Sequence, residues 1–219
     1  MRTVAIIQAR MGSERLPGKA LVKIGDRTVL QSVIWRTAQI AGLDDLVVAT
    51  TDLDEDSPIR SVCDQVGVDW LAGEVDDVLD RFMRTAVFSK ATHILRITAD
   101  CPLLDPEINY RIVDTLKTTS ASYVSMSTRS NGLVQEAFTI GALQRAWENA
   151  TDPYDREHVV PWMIRNEKTR FLKPDFDLGS GRWCVDTQED LDRLRGLYAA
   201  DPGLFERSAE ELVREPSIR

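Results

Sequence analysis

The densest run of side chains able to do chemistry is "QARMGSERLPGK", residues 8–19, which follows the apolar segment "TVAII". Arg10, Arg15 and Lys19 supply fixed positive charge, and Gly12 and Gly18 let the backbone approach a ligand and turn its N–H groups toward it. Arginine forks match phosphate oxygens bidentately, so a polyphosphate is the expected guest. The run is not a P-loop: five residues separate Gly12 from Gly18, and Ala20 stands where Ser or Thr would ligate magnesium. It is not G-x-G-x-x-G either. The alternative is a solvated basic turn.

A divalent ion would then need ligands from elsewhere. "HILRITADCP" and "RWCVDT" each read as a strand ending in a carboxylate, Asp100 and Asp186. Two carboxylates at strand ends facing a cationic loop are the hard oxygen ligands that magnesium prefers. Each also has a structural reading, Asp100 shaping a turn before Cys101-Pro102 and Asp186 capping the helix that follows.

The elements that must hold these groups alternate. "TVAIIQ", "LVVATT", "VDWLAG" and "HILRIT" are strand-like. Helical patterns fall between them, around 28–41, near 58–66 with Gly67 as its stop, in "DDVLDRFMRTAVFSK", and in "DPEINYRIVDTLK" with Asp105 as N-cap and Pro106 in the first turn. Such alternation predicts βαβ units: an α/β fold of three layers, with a mostly parallel sheet and helices on both faces. "VAII" and "LVVA" fit strands buried on both sides. In open α/β sheets ligands bind at the carboxyl ends of the strands, which is where the loop and Asp100 lie.

The second half is less regular. "SYVSMS" and "LVQEAFTI", joined by "TRSNG", predict a small antiparallel excursion near 122–140. Helices are expected over 142–150 and after Pro153, then a final strand "RWCVDT" and a helix opened by a Thr187/Asp190 capping box. No repeat, low-complexity segment or linker is evident, so one domain over 1–219 is expected.

The chain has 219 residues with net charge −8, from 35 acidic and 27 basic side chains. That balance argues against nucleic-acid or membrane partners, which need a broad positive field, and makes cations gathered in one loop more informative. Three widely spaced cysteines and no signal-peptide layout fit a reducing, cytoplasmic location. With only two histidines, His93 and His158, a His-rich zinc site is not expected.

"IIQARMGSERLPGKAL" resembles the signature of the cytidylyltransferases that activate acidic sugars, the acylneuraminate and 3-deoxy-manno-octulosonate enzymes, with the spore-coat polysaccharide cytidylyltransferase-like branch nearest. The resemblance runs on through "VVATTDLDEDSPI", "AGEVDDVLDRF", "RITADCPLLDP", "DPYDREHVVPW" and "VDTQEDLDRLR", over roughly residues 3–198. It implies a glycosyltransferase-A-like nucleotide-binding fold, transfer of CMP from CTP with release of pyrophosphate, and a magnesium requirement. It matches Asp100 and Asp186 to the metal-binding positions. It places Ala9, Arg10, Thr51, Asp52, Gly73, Asp76 and Arg81 in the nucleotide pocket. Arg15, Lys19 and the backbone N–H groups of Met11, Gly12 and Ser13 would then stabilise charge on the leaving group. No side-chain base is obvious. Asp76 and Arg81 could equally belong to an ordinary solvated helix face.

For the acceptor, Arg156, Glu157 and His158 of "REH" are candidates, with Gln135 and Glu136. Arg156 is the group a carboxylate- or phosphate-bearing acceptor would want. Here the chain departs from its branch, reading "NGLVQEAF" where relatives often read like "DGLDVEVF", so an unusual sugar, a phosphonate or a polyol stays open. Two other readings also stay open: a different nucleoside triphosphate, and a nucleotide-binding regulatory module without catalysis. A homodimer paired through the 122–140 excursion is the expected assembly.

Overall fold

The computed structural model describes residues 1–214. In chain order the strands are β1 (Thr3–Gln8), β2 (Lys23–Ile24), β3 (Arg27–Thr28), β4 (Asp45–Thr51), β5 (Asp69–Gly73), β6 (His93–Thr98), β7 (Tyr123–Met126), β8 (Glu136–Thr139) and β9 (Thr169–Leu172). The α-helices are α1 (Val29–Thr37), α2 (Ser57–Val66), α3 (Val78–Phe88), α4 (Pro106–Thr118), α5 (Ile140–Asn149), α6 (Pro153–His158), α7 (Pro161–Asn166), α8 (Gln188–Ala200) and α9 (Ala209–Arg214).

Seven strands form one sheet in the order β5-β4-β1-β6-β8-β7-β9. β5, β4, β1 and β6 are mutually parallel, β8 runs antiparallel to both β6 and β7, and β9 returns parallel to β7. The expected mostly parallel sheet is therefore present, and within residues 122–140 β7 and β8 pair antiparallel as members of that same sheet. β2 and β3 make a separate two-stranded ribbon.

Alternate residues of β1 enter opposite cores, which is why "VAII" carries no polar face. Ala5 and Ile7 pack in one cluster with residues of α1, α2, α4 and α8, while Val4 and Ile6 pack in the other with residues of α3, α5 and α7. Helices thus cover both faces. Local signals set several boundaries. The Asp105 side chain accepts from the Ile108 amide at the head of α4, with Pro106 in its first turn. The Thr187/Asp190 capping box opens α8 as expected. "DPYDREHVVPWMIRN" is two helices, broken at Val159, whose φ is 70°.

Two expectations fail. "RWCVDT" is not a ladder strand: it is an extended segment tied by one bridge, Asn131 with Arg182, by Trp183 N–H to Asn131 O at 2.7 Å and by Val185 N–H to Asp100 O at 2.8 Å. The last strand is instead β9, "TRFL". The strand expected over 133–140 is also shorter, because Gln135 N–H donates to Asn109 Oδ1 at 2.8 Å rather than to a neighbouring strand. Among the described residues no helix is long and apolar enough to cross a membrane.

Candidate active site

Residues 9–19 leave the carboxyl end of β1 and fold back on themselves. Gly18, at φ 72°, donates its N–H to Met11 O at 2.9 Å and closes the loop. A non-glycine residue there would be strained. Met11 N–H in turn donates to Asp56 Oδ1 at 2.5 Å, and Thr51 Oγ1 donates to Asp56 Oδ2. Asp56 is only 1% exposed, so this carboxylate pins the loop to the end of β4. Sequence reasoning missed it: inside the acidic run "DLDED" nothing marks which carboxylate is buried, and the available signal was its place just before a Ser-Pro helix start.

Lys19 is the centre of the site. Its Nζ donates to Asp100 Oδ2 at 2.7 Å and to Asp186 Oδ1 at 2.8 Å. Arg15 meets the same Asp186 oxygen at 3.2 Å, and Arg182 meets Asp186 Oδ2 at 3.1 Å. The side chains of Lys19, Asp100 and Asp186 are 17%, 22% and 15% exposed. Burial would lower the Lys19 ammonium, but the charges and hydrogen bonds of Asp100 and Asp186 raise it above its ordinary value. Burial would push the Asp186 carboxyl up; the hydrogen bond and charge of Lys19, with Arg15, hold it below the usual carboxylate range instead. The site is therefore charged at neutral pH. Asp186 reaches it from an extended segment, not a strand tip, and that segment is anchored directly to the Asp100 carbonyl.

The loop walls a cleft of about 390 Å³ lined by Ala9, Arg10, Gly12, Ser13, Arg15 and Lys19 together with Asp100 and Glu157. Arg10 and Glu157 also line a neighbouring cleft of about 550 Å³ that contains Asp76 and Asp77. Thr51, Gly73 and Arg81 are not among the residues that line these two clefts. Thr51 is buried and acts on the loop through Asp56. Arg81 is 3% exposed and donates to the carbonyls of Glu74 and Val75, at 2.5 and 3.1 Å. A Cβ at Gly73 would come within 2.9 Å of the Arg81 Cγ, so the glycine makes room for that stem. Asp52, exposed, donates its N–H to Gly73 O at 3.2 Å and ties β4 to β5.

The residues expected at the acceptor disperse. The Arg156 guanidinium is held on Asp77 Oδ2 at 2.7 and 2.5 Å and on the Trp147 and Ala150 carbonyls, fastening α6 to α3. Buried Gln135 accepts the Thr98 amide at 3.3 Å, and Glu136 pairs with Arg96 at 3.1 Å. His158 lies edge-on to Tyr154. Of that set Glu157 lines both of these clefts and Arg156 the second.

No cluster of three or more metal-ligating side chains occurs among the described residues. The donor set still suits magnesium, which is typically held by one or two carboxylates plus substrate phosphates and water. Asp100 and Asp186 already share a cation, the Lys19 ammonium, so their oxygens converge on a single position.

Comparison with known proteins fits this geometry. A family model described as cytidylyltransferase matches residues 4–199. The chain belongs to the cytidylyltransferase family. Cytidylyltransferases are CTP-dependent nucleotidyltransferases, and this chain is one of them. It is 30% identical over 223 residues to the spore coat polysaccharide biosynthesis protein SpsF of Bacillus subtilis, covering 95% of this chain and 91% of that protein. It is 29% identical over 213 residues to the 3-deoxy-manno-octulosonate cytidylyltransferase of Aeromonas salmonicida, covering 94% of this chain and 79% of that one. The solved structure of a cytidylyltransferase from Leptospira borgpetersenii superposes with a TM-score of 0.91 at 30% identity, over 98% of this chain and 93% of that chain.

Proposed function

We propose that this cytidylyltransferase moves CMP from CTP onto a hydroxyl of an acidic sugar in the cytoplasm, releasing pyrophosphate, for a surface polysaccharide or glycan precursor, with magnesium as cofactor. The observation that carries the reading is the Lys19–Asp100–Asp186 cluster at the edge of a glycine- and arginine-lined cleft. SpsF and the octulosonate enzyme, by their names, work in polysaccharide biosynthesis and on an eight-carbon sugar acid, which supports the acceptor class.

In this mechanism the loop binds the triphosphate, with Arg10 and Arg15 on its oxygens and the N–H groups around Gly12 and Ser13 turned toward it. Magnesium, when bound, would be held by Asp100 and Asp186 and would neutralise phosphate charge. Lys19 then transfers its ammonium from the two carboxylates to the β- and γ-phosphates. The acceptor hydroxyl oxygen attacks the α-phosphorus and gives up its proton to solvent, the bond to the bridging oxygen breaks, and the negative charge gathering on pyrophosphate falls on Lys19 and Arg15. Placement and electrostatics carry the reaction, with no covalent enzyme intermediate.

The test compares CTP, UTP, GTP and ATP with magnesium in thermal denaturation, and then measures pyrophosphate release across a panel of acidic sugars. CTP should stabilise most, and one or more acids should be turned over. Equal stabilisation by all four nucleotides would remove the cytosine assignment. CTP binding without turnover on any acceptor would favour a regulatory module.

A further inference from the structure

Two of the three cysteines stand beside the Lys19 cluster and have no part in the reaction described above. Cys101 follows Asp100 directly, and Cys184 lies two residues before Asp186. Both are free thiols and buried, at 5% and 2% exposure. The segments that carry them run side by side, because Val185 N–H donates to Asp100 O at 2.8 Å.

Each sulfur meets a carboxylate. Cys101 Sγ donates to Asp100 Oδ1 at 3.4 Å, and Cys184 Sγ donates to Asp186 Oδ2 at 3.6 Å. An ionised carboxylate only accepts, so the proton in each bond belongs to sulfur. The oxygens are shared out alike on the two sides. Lys19 takes Asp100 Oδ2 and Asp186 Oδ1, and the thiols take the opposite oxygens. An aspartate's terminal torsion is intrinsically broad, and contacts at both oxygens narrow it. The backing is unequal. Arg182 also reaches Asp186 Oδ2, at 3.1 Å. Among the described residues Cys101 is the one hydrogen-bond donor to Asp100 Oδ1. Cys101 is itself held, with its sulfur 3.0 Å from Thr98 Oγ1 at the end of β6.

We propose that Cys101 and Cys184 are positioning residues for the metal site: each thiol holds the outer oxygen of its carboxylate, so that the inner oxygens of Asp100 and Asp186 converge on one cation position. The Lys19 ammonium fills that position in this structure. The inference rests on the magnesium reading above. Carboxylates that ligate metals depend on hydrogen-bonded backing of this kind for their orientation. Arg182 shares the task at Asp186, so Cys101 carries more of it than Cys184 does.

Two measurements on the full chain test it. Infrared spectroscopy of the metal-free protein reads the S–H stretching bands, which move to lower wavenumber when a thiol donates to a carboxylate. Cys101→Ala and Cys184→Ala assign the two bands, and Asp100→Asn should return the Cys101 band toward higher wavenumber, since a neutral amide accepts more weakly. Paramagnetic resonance titration with manganese(II) as the probe, with and without CTP and set against CTP alone, reads metal affinity. Cys101→Ala should weaken manganese binding about tenfold, the low end for an outer-shell partner because S–H is a weak donor. Cys184→Ala should weaken it by about threefold at most, because Arg182 keeps that oxygen. Cys101→Ser retains a donor and should recover most of the loss. Cys63→Ala removes a buried thiol from α2 and should leave manganese affinity unchanged. S–H bands at the unbonded position, wild-type manganese affinity in Cys101→Ala, or a Cys101→Ser protein as weak as Cys101→Ala overturns the proposal. Shifted S–H bands in a wild-type protein that binds no manganese in either state would instead sink the magnesium reading and leave the thiols' hold on the carboxylates standing.

Discussion

Replacing Lys19 by Met keeps the length of the side chain and removes its charge, which exposes what the ammonium does in two states. Without ligand, Asp186 keeps Arg15 and Arg182, but Asp100 has no other cation in ion-pair contact among the described residues. Breaking a buried ion pair typically costs ~3–5 kcal/mol. These side chains retain 15–22% exposure, which places the cost near the lower end of that range. At roughly 2–4 °C per kcal/mol for a chain of this size, melting should fall by about 6–12 °C. The loss should shrink when magnesium is added, because a divalent ion can replace the missing charge between the carboxylates. Turnover should fall by about 10²–10³, the loss from one preorganised donor aimed at developing charge. The pH dependence has two limbs. The folded pKa of Asp186 is depressed below 3.8, so its stabilisation is present above that value and lost as pH falls through the folded pKa. That of Lys19 is raised above 10.5, so its stabilisation is present below 10.5 and lost as pH rises through the folded value. Both limbs should flatten in the variant. Calorimetric melting with and without magnesium, together with pyrophosphate release, reads all of this. Undiminished turnover, or the same melting loss with and without magnesium, would refute the reasoning.

Asp56→Asn should cost about 1–3 kcal/mol, since it weakens the anchor of the Met11 amide and Thr51, and should weaken CTP binding as well; calorimetry and nucleotide titration check both. Gly132→Ala should destabilise by ~1–3 kcal/mol, because φ there is 99° and a Cβ would fall 2.7 Å from the Trp183 carbonyl carbon; unchanged melting would contradict the packing. Burial pushes the thiols of Cys63 and Cys184 up to about 12, so neither should react with a thiol reagent at neutral pH until the protein is unfolded. At Asp190 burial is outweighed by Arg182 and the backbone amides, which hold its carboxyl at about 2; its stabilisation should persist above 3.8 and disappear as pH falls toward 2, and Asp190→Asn should flatten that acid limb in a melting series.

What could be read from the chain follows from which signals are local. β6 and α4 sit where "HILRIT" and the Asp105-Pro106 start place them, because an apolar run and a cap are contiguous features. "RWCVDT" misleads for the same reason: Trp183, Cys184 and Val185 are as buried as a strand, yet their backbone partners are Asn131 and Asp100 rather than a ladder. β9 was invisible because "TRFL" is an edge strand with little buried surface. In the site, the loop and its two carboxylates were legible as charge types, and the structure brings Lys19, Asp100 and Asp186 into contact. Arg81 and Arg156 were not separable from free cations, since only three-dimensional neighbours reveal that carbonyls and Asp77 already hold their guanidiniums.

The position of β1 has a consequence for assembly. Thr3 pairs across to His93, and Val4 pairs on the other side to Asp45, so the earliest strand of this sequence becomes an interior slat of the sheet. It cannot be flanked on both edges until some ninety further residues have emerged, and bringing such distant segments together must be repaid by pairing that comes late. Until then the apolar run "VAII" lacks the partners that cover both its faces and edges, and exposed apolar surface with unpaired strand edges is prone to aggregate.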